Sequence, residues 1–189
     1  MRIVLTGGPG GGKTTAATLY RREIGERVVV VPEAATLLFA GGFPRSDHDH
    51  ARRSAQGAIF HVQRHLEDVQ SALYPDRILL CDRGTVDGAA YWPDGDGDYF
   101  EKVGSSLAAE LSRYDAVLFF ETAAVGGISI EGGNPERIES NAQAVALDKR
   151  LRALWAKHPR MIVVPHETSF VKKIMRGLAE LETLVAALR

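Results

Sequence analysis

The chain carries five short runs of apolar residues, each bounded by charged or turn-forming residues. The runs are RIVLT (2–6), RVVVVPE (27–33), RILLCD (77–82), YDAVLFFE (114–121) and RMIVVP (160–165). Their apolar positions follow one another directly and do not alternate with polar ones, which is typical of strands buried on both faces of a parallel sheet. The pattern therefore predicts five strands of an interior parallel sheet.

Helix-length segments rich in Ala, Leu, Glu, Arg and Gln accompany these strands. They cover residues 13–24, 49–73, 98–114, 138–157 and 169–188. Alternation of strand and helix is typical of a doubly wound α/β fold, in which helices cover both faces of the sheet. Two loop-like stretches (40–50 and 91–100) and a Gly-rich stretch of lid length (about 123–141) interrupt the alternation. We expect a single α/β domain over residues 1–189.

Size and charge limit the classes of protein to which the chain can belong. The 189 residues are 45% hydrophobic, and 23 basic against 24 acidic side chains leave a net charge of -1. Without a basic block, strong binding to bulk nucleic acid is not expected. Cys81 is the single cysteine, and the apolar run at residues 3–5 is too short for a signal peptide or a membrane span. These features predict a cytoplasmic protein without a membrane partner, either a monomer or a homodimer.

A glycine-rich stretch, GGPGGGKTT (7–15), follows the first apolar run. No register of it fits G-x-G-x-x-G, the fingerprint of dinucleotide-binding folds, but G-x-x-x-x-G-K-[ST] fits without a mismatch from Gly7 to Thr14. In that motif backbone N–H groups and a helix N-terminus surround phosphate oxygens. We therefore predict an ATP and Mg²⁺ site, with Lys13 on the β- and γ-phosphates, Thr14 on Mg²⁺ and Thr15 near the α-phosphate. The backbone donors are predicted to come from Gly8, Gly10, Gly11 and Gly12.

Two other strand ends carry candidate catalytic side chains. Asp82 ends the third apolar run and Arg83 follows it, while Glu33 comes just after the second run. Ligands of open α/β folds collect at the carboxyl edge of the sheet. There, Asp82 would orient Mg²⁺ or an acceptor hydroxyl, and Arg83 would neutralise charge on a transferred phosphoryl group. Glu33 would accept a proton from the acceptor, or it would only stabilise the first turn of the next helix.

Three stretches, GGPGGGKTT, VVVVPEAA (28–35) and LLCDRGTVDGAAYW (79–92), together resemble the small P-loop kinase-like ATPases. These form an AAA-type single-domain family related to the nicotinamide riboside kinase domain and to nucleoside and nucleotide kinases. The resemblance implies a P-loop NTPase fold whose five-stranded parallel sheet has the order 2-3-1-4-5, with helices on both faces and a short lid. It also implies that Lys13 and Thr14 bind phosphate and Mg²⁺, and that Asp82 and Arg83 face the reacting phosphates. It favours Glu33 as a base or an acceptor-binding carboxylate.

The lid of such kinases usually supplies arginines, and the lid stretch of this chain contains only Arg137. We therefore predict that Arg137, together with Arg83, stabilises the transition state. No Asn-Lys-x-Asp or LSGGQ-like sequence is present, and no glutamate follows Asp82, so GTPase, transporter and hydrolytic ATPase activities lose support. We expect an ATP-dependent kinase whose acceptor is a small molecule, with a nucleoside or nucleotide favoured. A regulatory switch and a metabolic ATPase without an acceptor are the alternatives.

The segment 49–73 is the candidate wall of the acceptor pocket. Gln56 or Gln63 could bind a flat base by hydrogen bonds, and Phe60 could stack on it. Arg52 or Arg53 could meet an acidic acceptor. The alternative is a solvated helix face with Phe60 in the core.

Overall fold

The computed structural model describes residues 1–93, 97–127 and 140–187. Within these residues it contains a five-stranded sheet in the order β2-β3-β1-β4-β5, and all neighbouring strands are parallel. The strands are β1 (Arg2–Thr6), β2 (Val28–Val31), β3 (Ile78–Asp82), β4 (Ala116–Phe120) and β5 (Met161–Val164). The predicted strand order is therefore confirmed.

Eight α-helices surround the sheet in the described part of the chain. They are α1 (Lys13–Ile24), α2 (Ala34–Ala40), α3 (Asp49–Leu73), α4 (Gly88–Tyr91), α5 (Tyr99–Lys102), α6 (Leu107–Leu111), α7 (Asn141–Trp155) and α8 (Phe170–Ala187). The bounds of α1, α3, α7 and α8 lie close to those predicted, whereas the short helices α2 and α4 were not predicted. Within the described ranges, no helix combines the length and the apolar character that crossing a membrane requires.

The single helix predicted over residues 98–114 is wrong, because this stretch forms two short helices, α5 and α6. α5 ends just before Gly104, whose φ of 69° is a left-handed conformation that costs glycine little. Ser106 then caps α6, since its side-chain oxygen accepts the backbone N–H of Ala109 at 3.2 Å. A left-handed glycine and a capping serine therefore divide a segment whose composition suits one helix.

The central strands are buried on both faces. Consecutive residues project to opposite sides, so that Val4 and Phe119 pack on the side of α3 and α7. Leu5 and Phe120 pack on the other side, against α1 and α8. Burial on both faces explains why the strand sequences are continuously apolar.

The carboxyl ends of β1, β2 and β3 bring the candidate site residues together. Leu5 of β1 is paired with Asp82 of β3, and Val31 of β2 is paired with Cys81 of β3. The glycine loop, Glu33 and Arg83 follow directly from these three strand ends. Residues far apart in sequence therefore meet at one edge of the sheet.

Candidate active site

The glycine loop between β1 and α1 has a shape that only glycine can supply. Gly7, Gly10 and Gly12 have φ angles of 127°, 76° and 89°, in a region that other residues avoid. A Cβ atom at Gly7 would also overlap the carbonyl oxygen of Phe120. Gly12 is the residue that precedes α1, so the loop leads directly into a helix N-terminus. A loop of this kind can surround phosphate oxygens with backbone N–H groups.

Lys13 folds back onto the loop that precedes it. Its Nζ atom donates to the carbonyl oxygens of Gly7 and Gly8, at 2.8 and 2.9 Å. Burial, and then the positive charge of Arg83, lower the pKa of Lys13 to about 7, although the carboxylates of Asp82 and Glu33 act in the opposite direction. A phosphate chain in the loop would supply the negative charge that favours the ammonium form.

Asp82 ends β3 as a buried carboxyl next to Thr14. Burial and the charge of Glu33 raise the pKa of Asp82, while a hydrogen bond from the Thr14 hydroxyl opposes the shift. Its Oδ1 atom has no hydrogen-bond partner within the part of the chain that the structure describes. An unpartnered buried carboxylate oxygen beside a hydroxyl suits a hard divalent cation.

The donor set of this corner fits Mg²⁺ better than a metal held entirely by protein. Mg²⁺ commonly takes one or two protein ligands and completes its shell with water and phosphate oxygens. Among the described residues there is no group of three or more His, Cys, Asp or Glu side chains that could hold a metal. Asp82 and Thr14 would therefore hold the ion together with water and phosphate.

Arg83 has a strained backbone and a fixed side chain. Its φ of 72° is positive, which among the described residues holds for no other non-glycine residue. Such strain costs about 1–3 kcal/mol and is found mostly at functional sites. The Nε atom donates to Glu33 Oε1 at 2.5 Å, and Nη1 donates to Asp87 Oδ2 at 3.0 Å. The two carboxylates fix the guanidinium group at the end of β3.

Glu33 is a carboxylate that is already paired. Burial opposes its ionisation, but Arg83 and the hydroxyl of Thr36 outweigh burial and hold the pKa of Glu33 below its usual range. The Thr36 hydroxyl donates to Glu33 Oε2 at 2.7 Å. Glu33 immediately precedes α2, but its side chain makes no hydrogen bond that caps this helix. An ionised carboxylate here can accept a hydrogen bond from an acceptor hydroxyl.

Asp87 connects Arg83 to the rest of the fold. Its carboxylate accepts the hydroxyl of Thr6 at 2.8 Å and the indole N–H of Trp155 at 2.6 Å, in addition to the guanidinium of Arg83. Trp155 is the last residue of α7. The position of Arg83 therefore depends on β1 and on α7 as well as on β3.

Asp148 of α7 binds the glycine loop from outside the motif. Its Oδ1 atom accepts the backbone N–H of Gly8 at 2.8 Å and that of Thr122 at 3.0 Å. The Thr122 hydroxyl donates in turn to the carbonyl oxygen of Pro9. Burial raises the pKa of Asp148, although its two backbone N–H partners oppose the shift. The Gly8 N–H, which the sequence assigned to phosphate, thus contacts a side chain from a distant helix.

Asp148 offers a test of how the loop is held. We expect Asp148→Ala to raise the KM for ATP by about 10-fold with little change in kcat, since a buried hydrogen bond to a charged acceptor contributes about 1.5–3 kcal/mol. Asp148→Asn keeps an oxygen acceptor and should stay within about 3-fold of the wild type in steady-state kinetics. Equal impairment of the two variants would show that the charge, not the loop contact, matters.

A cleft of about 1180 Å³ extends from the glycine loop to α3. The residues assigned from sequence that line it are Gly12, Lys13, Thr14, Thr15, Glu33 and Arg83. Asp82 is 3% exposed and lies at the end of the neighbouring strand. Gly8, Gly10 and Gly11 are part of the loop but do not line the cleft. Arg137 and residues 128–139 of the predicted lid lie outside the described residues.

The wall formed by α3 is only partly available to a ligand. Arg52, Gln56, Phe60 and Gln63 all border the cleft, whereas Arg53 does not. Phe60, however, is 1% exposed and packs within the core. Gln63 is also buried, and its Oε1 atom accepts the backbone N–H of Ala34 at 3.1 Å. Gln63 therefore positions the start of α2 beside Glu33.

The fold of this chain is similar to that of solved nucleoside and nucleotide kinases. Thymidylate kinase from Ehrlichia chaffeensis aligns over 98% of this chain and 98% of its own, with a TM-score of 0.66 and 19% identity. Deoxyadenosine kinase from M. mycoides with bound dATP aligns over 96% of this chain and 100% of its own, with a TM-score of 0.68 and 16% identity. At these identities the similarity shows the fold, and the predicted P-loop kinase-like fold is confirmed.

The sequence itself identifies the family. No curated protein sequence is significantly similar to the chain. A family model described as an AAA domain, however, matches residues 2–172. The match includes the glycine loop, Glu33, the Asp82-Arg83 pair and Asp148, and it confirms the resemblance inferred from the motifs. The chain therefore belongs to this AAA domain family.

Proposed function

We propose that this protein is an ATP-dependent phosphotransferase that moves the γ-phosphoryl group to a small acceptor, with a nucleoside or nucleotide favoured. The observation that carries the proposal is the continuity of the cleft, which joins Lys13 and Thr14 at one end to α3 at the other. Glu33 and Arg83 line the same cleft. A site built only for hydrolysis needs room for water, whereas this cleft extends well beyond the glycine loop.

Each group has a distinct task in the proposed reaction. The glycine loop and Lys13 bind and orient the triphosphate, and Arg83 offsets negative charge on the transferred group. Mg²⁺, held through Thr14 and Asp82, would neutralise phosphate charge when bound. Glu33 binds the acceptor and, for a hydroxyl acceptor, takes up its proton. Arg137 of the lid stretch is assigned a supporting role toward the same charge.

The similar structures support a nucleoside or nucleotide as the acceptor. One is named a thymidylate kinase and the other a deoxyadenosine kinase, and the second is also solved with the products dCMP and dCDP. Acceptors of that size fit a cleft of about 1180 Å³ with ATP beside them. Under this proposal residues 1–189 act as one domain, with residues 123–141 as its lid.

ADP release measured with a panel of acceptors tests the proposal. The panel contains nucleosides, nucleoside monophosphates, sugars and sugar phosphates, each supplied with ATP and Mg²⁺. We expect at least one acceptor to raise ADP release by about 10-fold or more over ATP alone, because a kinase site holds its transition state only with both substrates in place. ADP release that no acceptor changes would contradict transfer and favour an ATPase or a switch.

A further inference from the structure

Three guanidinium groups converge on the end of α4, in the cleft. Arg52 of α3 donates from Nη2 to the carbonyl oxygen of Tyr91 at 3.1 Å. Arg150 of α7 reaches the adjacent carbonyl oxygen of Ala90, at 3.5 Å from Nη1. The guanidinium carbon of Arg83 lies 5.5 Å from the centre of the Tyr91 ring. Because Ala90 and Tyr91 are consecutive, arginines from three separate elements meet beside them, and all three line the cleft.

The charges of the three guanidinium groups are balanced unevenly. Arg83 is paired with the carboxylates of Glu33 and Asp87. Among the described residues, Arg52 has one carboxylate within salt-bridge distance, Asp49 at 3.6 Å, in an exposed pair of the kind that contributes little. No carboxylate of the described residues lies within salt-bridge distance of Arg150.

Hydrogen-bonding capacity is also left over. A guanidinium group carries five N–H donors in a planar fork, and the contacts above use few of them. The fork matches the oxygens of phosphate, and Arg is the usual residue for binding this group. An arginine without a nearby carboxylate among the described residues, together with unused donors in the same cleft, favours an anionic ligand.

We propose that the acceptor is a phosphomonoester, and that Arg52 and Arg150 bind its phosphate group next to Arg83. This inference rests on the proposed function, since it names the class of acceptor for the same cleft. A neutral nucleoside or sugar would bring no counter-charge to these two guanidinium groups. A nucleoside monophosphate or a sugar phosphate brings two negative charges to the place where they are needed.

A purely structural role for the two arginines leads to a different expectation. The last carbonyl groups of a helix need hydrogen-bond donors, and Arg52 and Arg150 supply them to α4. If this were their whole role, their replacement would lower stability and would not discriminate between acceptors. If they bind phosphate, their replacement affects phosphorylated acceptors selectively.

Steady-state kinetics with matched acceptor pairs separates the two roles. Each nucleoside is compared with its 5′-monophosphate, and each sugar with its phosphate. The comparison therefore also distinguishes nucleoside monophosphates from sugar phosphates as acceptors. We expect the wild type to use the phosphorylated member of each pair with a kcat/KM at least about 100-fold higher. We expect Arg52→Gln and Arg150→Gln each to raise the KM for the phosphorylated acceptor by roughly 10-fold, while the KM for ATP stays nearly constant. Arg64→Gln is the matched control on α3, because Arg64 pairs with Glu110 at 3.2 Å and does not line the cleft.

The possible outcomes distinguish this inference from the proposed function. Equal use of neutral and phosphorylated acceptors, with both Gln variants unchanged, would overturn the inference and leave the kinase proposal intact. If no acceptor raises ADP release, the kinase proposal fails, and calorimetric titration with nucleoside monophosphates decides the inference. Binding that is lost in the folded Arg52→Gln/Arg150→Gln variant supports the phosphate site, and absence of binding to the wild type contradicts it. Thermal unfolding of every variant checks that it is folded.

Discussion

Replacement of Lys13 by alanine is expected to lower kcat/KM for ATP by about 1000-fold, the loss typical of removing a principal donor to transferring phosphates. Lys13 is the cation that the glycine loop itself supplies, and its Nζ lies within 2.9 Å of two loop carbonyl oxygens. Lys13 is the one basic residue within the loop sequence 7–15. The measurement is ADP formation over a range of ATP concentrations, together with the affinity for ATP in the presence of Mg²⁺.

Lys173 provides the matched control for Lys13. It is 3% exposed, and its Nζ donates to the carbonyl oxygen of Glu121. Lys173 does not line the cleft. We therefore expect Lys173→Met to lower the melting temperature while changing the KM for ATP by less than about 3-fold. An Lys13→Ala variant that keeps wild-type affinity and turnover would contradict the assignment of the glycine loop to ATP.

Replacement of Arg83 by glutamine is expected to lower kcat by about 100-fold or more and to destabilise the fold by about 3 kcal/mol. The loss of activity follows from its position at the end of β3, in the cleft. The loss of stability follows because Asp87, whose side chain is 5% exposed, loses the cation that it faces at 3.0 Å. The two effects are measured by steady-state kinetics and by denaturant unfolding.

An Arg113→Gln variant is the control that separates the loss of activity from the loss of stability. The Arg113 side chain is 14% exposed, as is that of Arg83, and it pairs with the fully buried Glu67 at 2.9 Å. Arg113 does not line the cleft. Arg113→Gln should therefore lose a similar amount of stability and keep kcat within about 3-fold of the wild type. If both variants lose activity in proportion to their stability, Arg83 has no direct role in transfer.

Much of the fold could be predicted because its signals are local. The apolar strands, the long helices and the glycine loop each occupy one continuous stretch of sequence. The register of the glycines also excluded a dinucleotide site, and the meeting of Glu33, Asp82 and Arg83 at one edge of the sheet could be predicted because all three lie at or just after strand ends. The division of residues 98–114 was missed, since Gly104 is a weak signal within a segment of helical composition.

The contacts made by α7 could not be predicted, because they depend on tertiary packing. Asp148 and Gly8 are separated by 140 positions, and Trp155 and Asp87 by 68. No motif or spacing marks Asp148 or Trp155, and both look like ordinary members of a helix. Nothing in the sequence places Arg150 near Arg52, because their proximity arises from the packing of α3 and α7 against α4. Long-range contacts of this kind position the residues that the local motifs indicate.

Transfer of label from ATP carrying an isotope in its γ-phosphate tests the central claim most directly. The protein is incubated with labelled ATP, Mg²⁺ and each acceptor of the panel, and the products are separated. We expect the label to appear covalently on one acceptor, in an amount equal to the ADP formed, and to be absent from that product with Lys13→Ala. Label found only in inorganic phosphate, whatever the acceptor, would contradict phosphoryl transfer as the function of this cleft.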